Sequence, residues 1–407
     1  MRRSLSGLRP PGLVAALGVV ALVSYGVAYY SYGVLLEPHG TGWSETGLAA
    51  VFSVVLVVGG VGCVPGGRLA DRFGTRPAFL LAATLGAGLM FASSFADRLL
   101  LFGGLYAVGA GAIGALAFYH VTQSATVRIS GPRATSGLVW LTLFGALASP
   151  IFLPVTAALS SAVGWRQTVR LEAVLVAVVL LLGGLLVSVS DETSRDPAER
   201  AGARAAIGRA WRTAGFKRWV LASLIAGAAV DVVLVFQVTI MVSAGLSFGL
   251  AATIGGMRGL AQLAGRIGLG PVLRAFGTRV TVIASFLLGG VGVLFLLLAG
   301  NVVAAIVFCG LAGASFGVIS TLQGIYTHEL VGDADLGLLL GTQQAIFAGG
   351  SALGPVLAGV LITATGSDTT VVILASVGFV AAAATMILPR PRPGLRVPAP
   401  AVGPRCC

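Results

Sequence analysis

Ionisable side chains are scarce inside the long apolar stretches of this chain, and the few that occur there are spaced for chemistry. Asp231 falls about thirteen residues into one apolar stretch and Arg258 about eleven into the next, which puts both near mid-membrane at a rise of about 1.5 Å per residue. Charge at that depth costs several kcal/mol, from about 2.5 upward, so each residue needs a partner or a water-filled cavity. Arg258, Gln262 and Arg266 recur every four residues and drift by about 40° per step, forming one polar stripe on a helix. An arginine there offers a permanent charge and a two-pronged fork for a carboxylate, whereas Asp231 can take up and release a proton. Two other readings stay open: Asp231 and Arg258 pair with each other as a packing salt bridge, or Arg266 stretches to the membrane interface.

A second set accompanies the first. His120, beside Tyr119 and Gln123, either lines the same cavity, relays a proton or packs as a satisfied core histidine. Tyr25, Tyr29 and Tyr32 follow helical spacing near the start; core or interfacial packing is the expected role of most of these rings, with Tyr29 or Tyr30 a candidate to face substrate. Arg170 and Glu172 open another apolar stretch and read as interfacial.

These residues must be held by membrane-spanning helices. The chain has 407 residues, 57% hydrophobic and only 10% charged, with a mean hydropathy of +0.97. Soluble proteins carry about 25% charged residues. Apolar spans are read at about 13–36, 45–67, 77–96, 99–127, 135–160 and 166–189, then at 219–244, 247–269, 279–300, 302–326, 336–364 and 370–388. The first is too long for the apolar region of a signal peptide, about 7–15 residues, and is expected to be retained. The division follows: a six-helix bundle over 1–190, a polar central loop over 191–218, a second bundle over 219–388, and a disordered Pro- and Arg-rich tail over 389–407.

The two bundles repeat one another. Gly67-Arg-Leu-Ala-Asp-Arg-Phe-Gly-Thr-Arg76 is echoed 203 residues later by Gly270-Pro-Val-Leu-Arg-Ala-Phe-Gly-Thr-Arg279, and Gly47-Leu-Ala-Ala50 by Gly249-Leu-Ala-Ala252. The net charge of +12 comes from arginines in the gaps between spans rather than from a patch interleaved with aromatics, so nucleic acid is not an expected partner. With the N-terminus in the cytoplasm, every Arg and Lys except Arg98, Arg166, Arg170, Arg258 and Arg266 falls on the cytoplasmic side. The positive-inside rule therefore expects both termini in the cytoplasm. Cys63 and Cys309 lie in spans while Cys406 and Cys407 end the chain, which is neither a disulfide framework nor a metal spacing.

Twelve spans in a six-plus-six repeat, with Gly67, Asp71, Arg72, Gly74 and Arg76 between the second and third, resemble the major facilitator superfamily. The second copy departs, having Arg274 where the first has Asp71. By this resemblance the protein is an all-α transporter whose motif latches the cytoplasmic gate. The residue types fit that role. Gly74 permits a tight turn, Arg72 and Arg76 hold the loop in the cytoplasm, and Asp71 can accept hydrogen bonds from a helix N-terminus. Tyr30-Ser-Tyr-Gly-Val-Leu-Leu36 before Gly42-Trp-Ser44, with Tyr119, Arg128 and Gly265-Arg266, is similar to the bacterial monocarboxylate and oxalate/formate carriers. That similarity implies a substrate carboxylate on Arg266. Gln262 stands where animal monocarboxylate carriers have an aspartate, and only Gln343 and Gln344 stand where the oxalate carriers have a lysine.

The expected function is secondary transport of a small monocarboxylate-like anion by alternating access, coupled to protons, in the plasma membrane. Substrate contacts are expected from Arg258, Arg266, Tyr30, Tyr119, His120 and Gln262, and proton coupling from Asp231. Proton-driven efflux of drugs or amphipathic metabolites is the alternative, although the fifth span carries Gly145-Ala-Leu-Ala-Ser-Pro150 rather than the fuller glycine-proline pattern of antiporters. No ATP-binding loop, paired acids, metal cluster or appended soluble domain occurs in the sequence, so an ATP-driven pump, an enzyme and a sensor are set aside. No cofactor is expected, and the working unit is expected to be a monomer.

Overall fold

In the computed structural model, residues 10–32, 43, 45–191, 202–333 and 335–387 are described. The tail expected to be disordered lies outside them. Ten helical stretches are long and apolar enough to cross a membrane, and two of these, Leu99–Val163 and Gly249–Leu298, each fold back as two spans. Among the described residues the result is twelve membrane-spanning helices. The first six are α1 (Pro10–Tyr25, continued by a π-helical turn, Gly26–Tyr30), α2 (Glu45–Phe73), α3 (75–93), α4 (Leu99–Ala117 and Tyr119–Ser130), α5 (Ala134–Ala146 and Ala148–Val163) and α6 (Trp165–Asp191). The second six are α7 (Ala214–Ser243), α8 (248–276), α9 (278–298), α10 (Val302–Val331), α11 (Leu336–Thr365) and α12 (Asp368–Ile387). α8 and α9 meet at Gly277, whose φ of 72° breaks what is otherwise one run of helical hydrogen bonds.

The central polar segment holds an amphipathic helix, Ala203–Arg212, packed through Ala206 and Ala210. The hydropathy reading missed it, because a short helix with a narrow apolar face adds little to a window average. α7 accordingly starts at Ala214, five residues before the apolar stretch.

Each half has its own apolar core. Leu17, Phe79, Met90, Tyr106 and Val176 centre the first, and Trp219, Phe286, Phe308 and Phe379 the second, which also takes in Val127, Ala134 and Leu138 from the ends of α4 and α5. Where the halves touch, the repeat shows again. α2 lies along α11 and α5 along α8, the same helix pair in both copies once the six-helix offset is applied.

The α2/α11 contact is backbone to backbone. A Cβ on Gly67 would stand 2.0 Å from the carbonyl oxygen of Gly337, and one on Gly341 would stand 2.2 Å from that of Cys63. Among the described residues, every hydrogen bond between the halves lies toward the ends that carry the Gly67–Arg76 turn, here called the basic side.

Candidate functional site

A cavity of about 250 Å³ lies between the two halves and is lined by α1, α2, α4 and α5 on one side and α7, α8, α10 and α11 on the other. Close helix packing sets its walls. α10 gives up side chains where it crosses α8: a Cβ on Gly317 would stand 2.3 Å from the carbonyl oxygen of Gln262, and one on Gly313 would stand 2.8 Å from that of Arg258. This presses the polar stripe of α8 against the cavity. α7 and α11 meet in the same way, with Gly350 against Leu224 and Gly354 against Ala228. Asp231 on α7 thereby faces Ser351 on α11 across the cavity wall.

The stripe reaches the cavity, but its members differ. Arg258 lines the space, partly buried, with its Cζ 5.7 Å from the centroid of the Phe316 ring. No hydrogen bond or ion pair reaches its guanidinium among the described residues, and its Nε is buried without a partner. Asp231 and Arg258 share the cavity without forming an ion pair, so the packing salt bridge read from sequence is not made. Gln262 stands between the two arginines on the same wall.

Arg266 is spoken for. It is 3% exposed. Its Nε donates to the carbonyl oxygen of Gly317 at 3.0 Å, and its terminal nitrogens donate to the carbonyl oxygen of Thr142 at 2.6 Å and to Ser320 Oγ at 2.8 Å. Thr142 belongs to the first half and Gly317 to the second, so this arginine joins them and does not reach the membrane interface. Gln123 Nε2, donating to the Ser320 carbonyl oxygen at 3.1 Å, and the Thr142–Thr321 hydroxyl pair at 2.8 Å complete the seam.

The aromatic wall comes from α1 and α4. Within the π-helical turn each residue advances the helix by less than the usual 100°, so Tyr25, Tyr29 and Tyr30 all face the cavity where a regular helix would carry Tyr30 around toward another face. Tyr25 stacks on Phe118 with centroids 3.9 Å apart and leans on Tyr119 at 4.8 Å. Tyr32, by contrast, is fully buried and donates its hydroxyl to the carbonyl oxygen of Leu48.

The break in α4 at Phe118 separates two neighbours. Tyr119 lines the cavity, its hydroxyl fitted against Gly145, where a Cβ would stand 1.9 Å away. His120 points behind the wall, with Nε2 2.7 Å from the Ala115 carbonyl oxygen, and does not line the cavity. Gln323, Gln344 and Phe347 line it without having been picked out as cavity residues from the sequence; Gln343 turns away to Ser223 Oγ. For Gln323 and Phe347 the only signal is an amide or ring in an apolar helix, which gives no direction, whereas Gln344 stands where the oxalate carriers have a lysine.

Glu172, expected at the interface, is buried at 3% exposure. Its Oε1 accepts from Ser31 Oγ at 2.8 Å and from Thr156 Oγ1 at 2.5 Å. Gly164 starts α6 at the surface, but the residues that follow are covered by α1 and α5. Arg170 does sit at the edge, its Cζ 4.1 Å from the Phe95 ring centroid and its Nε donating to Ser94 Oγ.

The turn motif joins charges to helix ends. Asp71 accepts from the backbone N–H groups of Gly337 at 3.0 Å and Leu338 at 2.7 Å, the first turn of α11, and from Arg128 at 3.1 Å. Gly67 provides the close approach, and Gly74 begins α3 with a φ of 93°. Arg72 and Arg76 are exposed. Asp335, just ahead of α11, accepts from Arg68 at 2.5 Å and from Arg209 of the central helix at 3.4 Å. In the second copy Arg279 donates instead to the Met386 and Ile387 carbonyl oxygens at the end of α12. Asp71 thus serves a helix N-terminus and Arg279 a C-terminus, each matched in sign to its helix dipole.

The family model described as Major Facilitator Superfamily matches residues 15–267 and 219–405. Among solved structures, the chain is similar to a transporter of that superfamily, FucP, in the outward conformation, at 16% identity and a TM-score of 0.70, covering 92% of this chain and 97% of that one. It is also similar to the E. coli fucose:proton symporter FucP (N162A) at 17% identity and a TM-score of 0.72, covering 92% and 97%. The proton:xylose symporter XylE bound to 6-bromo-6-deoxy-D-glucose matches at 14% identity and a TM-score of 0.68, covering 93% and 97%. A comparison with curated proteins returns no match.

Proposed function

Because the chain belongs to the major facilitator superfamily, we propose that it is a secondary transporter that carries a small organic anion, monocarboxylate-like in size, through the cavity between its halves by alternating access coupled to protons. The observation that carries this reading is Arg258: a guanidinium facing the cavity, without an acid or hydrogen-bond partner among the described residues. Desolvated charge of that kind is held at a cost unless a ligand completes it. A carboxylate supplies both the countercharge and two acceptors in the plane of the fork. Tyr30, Tyr119, Gln262 and Gln344 then surround the rest of the substrate with hydroxyls and amides.

Asp231 shares the space and is the proton carrier in this scheme. With a proton bound it leaves Arg258 to the substrate; without one it competes for the same guanidinium. That competition couples the two ligands through opposite demands on one positive charge. Arg266, tied to both halves, acts on closure, and its contact with substrate belongs to states in which α5 has moved away. The basic side is assigned to the cytoplasm by the distribution of arginines, with both termini there, the chain in the plasma membrane and the conformation described facing outward.

A second reading has its own support. The aromatic wall and the three amides of Gln262, Gln323 and Gln344 suit a neutral sugar or polyol, and two of the solved relatives are described as symporters of fucose and xylose. Uptake into proteoliposomes separates the two. Labelled lactate, pyruvate, formate and oxalate are offered beside L-fucose and D-xylose, with and without an inward-acid gradient. On the anion reading one acid accumulates with the gradient, Arg258→Gln abolishes its uptake, and Asp231→Asn removes the gradient's effect while exchange persists. Accumulation of a sugar and of no acid transfers the site to the second reading. Movement of a lipophilic cation alone replaces both with efflux.

A further inference from the structure

The first half holds a buried acid that this transport scheme leaves unused. Glu172 on α6, Ser31 on α1 and Thr156 on α5 form a closed triangle: both hydroxyls donate to Glu172 Oε1, at 2.8 and 2.5 Å, and lie 2.8 Å from each other. All three are buried, and Oε2 has no partner among the described residues. The neighbouring cations are engaged elsewhere. Arg170 is held by Ser94, Gln167 and the Phe95 ring, and Arg166 by the Ser94 and Ala96 carbonyl oxygens and Asp97.

From α4, Tyr106 brings a buried hydroxyl that has no partner among the described residues and lies within electrostatic reach of Glu172. From α1, Tyr32 faces the same region with its hydroxyl committed to Leu48. The only charged residue of α3, Arg76, lies at its other end on the basic side, and its Ser93 hydroxyl donates to its own helix. Among the described residues, then, no cation pairs with Glu172. A carboxyl so enclosed tolerates full charge poorly, and two donated hydrogen bonds offset only part of that cost.

The triangle also has a place in the movement. Ser31 follows Tyr30, the last residue of the cavity-lining π-helical turn. Thr156 lies one turn beyond Phe152, whose ring fills the space over Gly26, where a Cβ would stand 2.2 Å from it. A change in the charge of Glu172 therefore acts on the hydroxyls that fix α1 and α5 to α6, on the side of the cavity away from the basic side.

We propose that Glu172, with Ser31 and Thr156, is a second proton-binding site, distinct from Asp231, whose loading sets the position of the cavity-lining end of α1. Oε2 takes one proton from solution and Glu172 passes from −1 to neutral; the reverse step returns the proton to solution. The proposal rests on the transporter reading but on no particular substrate.

The test uses purified full-length protein without ligand. Infrared difference spectra between acid and alkaline buffers are expected to contain a carboxylic-acid carbonyl band, shifted in D2O, that is lost in Glu172→Gln, retained in Asp231→Asn and displaced in Thr156→Val. Spin labels at Val163 and Val242, both exposed near the ends of α5 and α7 away from the basic side, report the opening there. Their separation is expected to change between the two buffers and to lose that change in Glu172→Gln. An unaltered band in Glu172→Gln overturns the proton site, and an unaltered pH response of the distance overturns its link to α1. A melting temperature close to the parent's shows that Glu172→Gln is folded, since the amide oxygen still accepts both hydroxyls. Neither readout involves a substrate, so failure of the anion reading and failure of this one are separable.

Discussion

Two arginines eight residues apart on one helix face do different work. Among the described residues Arg258 has no hydrogen-bond partner in the cavity, while Arg266 makes three hydrogen bonds to two backbone carbonyls and a hydroxyl drawn from both halves. Hydrogen bonds from a charged donor are worth about 1.5–3 kcal/mol each, so Arg266→Met is expected to lower the melting temperature markedly. Arg266→Lys should fall between, because an ammonium is a point donor and cannot reach acceptors fixed for a planar fork. The corresponding changes at Arg258 remove no bond, and Arg258→Gln should leave thermal stability near the parent value or raise it. Thermal melts of these variants check the contrast. Equal destabilisation at both positions would show that Arg258 has a structural partner after all.

At the scale of helices, the α2/α11 contact depends on the absence of side chains. The missing Cβ of Gly67 leaves room for the Gly337 carbonyl, and Gly67→Ala would force a backbone atom, not a flexible side-chain end, to give way. Hydrogen exchange should then speed up at the amides of Gly337 and Leu338, which Asp71 holds in the parent. Gly88→Ala, with nothing within 4 Å, is the control and should leave those amides protected. Equal protection in both variants would mean that the α2/α11 contact accommodates a side chain at Gly67 and does not depend on its absence.

The twelve spans were legible because the bilayer demands long apolar runs, and the 203-residue echo revealed the repeat. The Arg258–Gln262–Arg266 stripe was legible from its four-residue period, and so was an aspartate suited to a helix N-terminus. Which helix it would meet was not, since a contact between Asp71 and Gly337 leaves no local mark. The π-helical turn and the break at Phe118 were equally silent, and they decide that Tyr30 and Tyr119 face inward while His120 does not. Glu172 was misplaced because distance from a span's start measures depth in the bilayer but not cover by neighbouring helices.

For the whole molecule, closure of the basic side is a balance of small terms, which is what a transporter needs in order to open again. Asp71 contributes through the α11 dipole and Arg128, both partly shielded, with side-chain exposures of 9% and 11% for Asp71 and Arg128. Asp335 adds a contact with Arg68 and holds φ at 55°, a conformation that costs a non-glycine residue about 1–2 kcal/mol and must be repaid by its surroundings. Arg209 reaches it from the central helix with a side chain 58% exposed at 3.4 Å, and surface pairs of that kind contribute little. A ranking follows. Asp71→Asn keeps the shape but removes the charge at the helix end, a loss of about 0.5–2 kcal/mol, which shifts the closed-to-open ratio roughly two- to thirtyfold. Arg209→Gln should shift it far less. Spin labels at Arg133 and Arg274, exposed on the basic side in opposite halves, measure the populations directly. The separated population should grow in Asp71→Asn and stay near the parent's in Arg209→Gln. The opposite order would place the latch in the central helix and leave the Gly67–Arg76 turn as a basic loop obeying the charge rule.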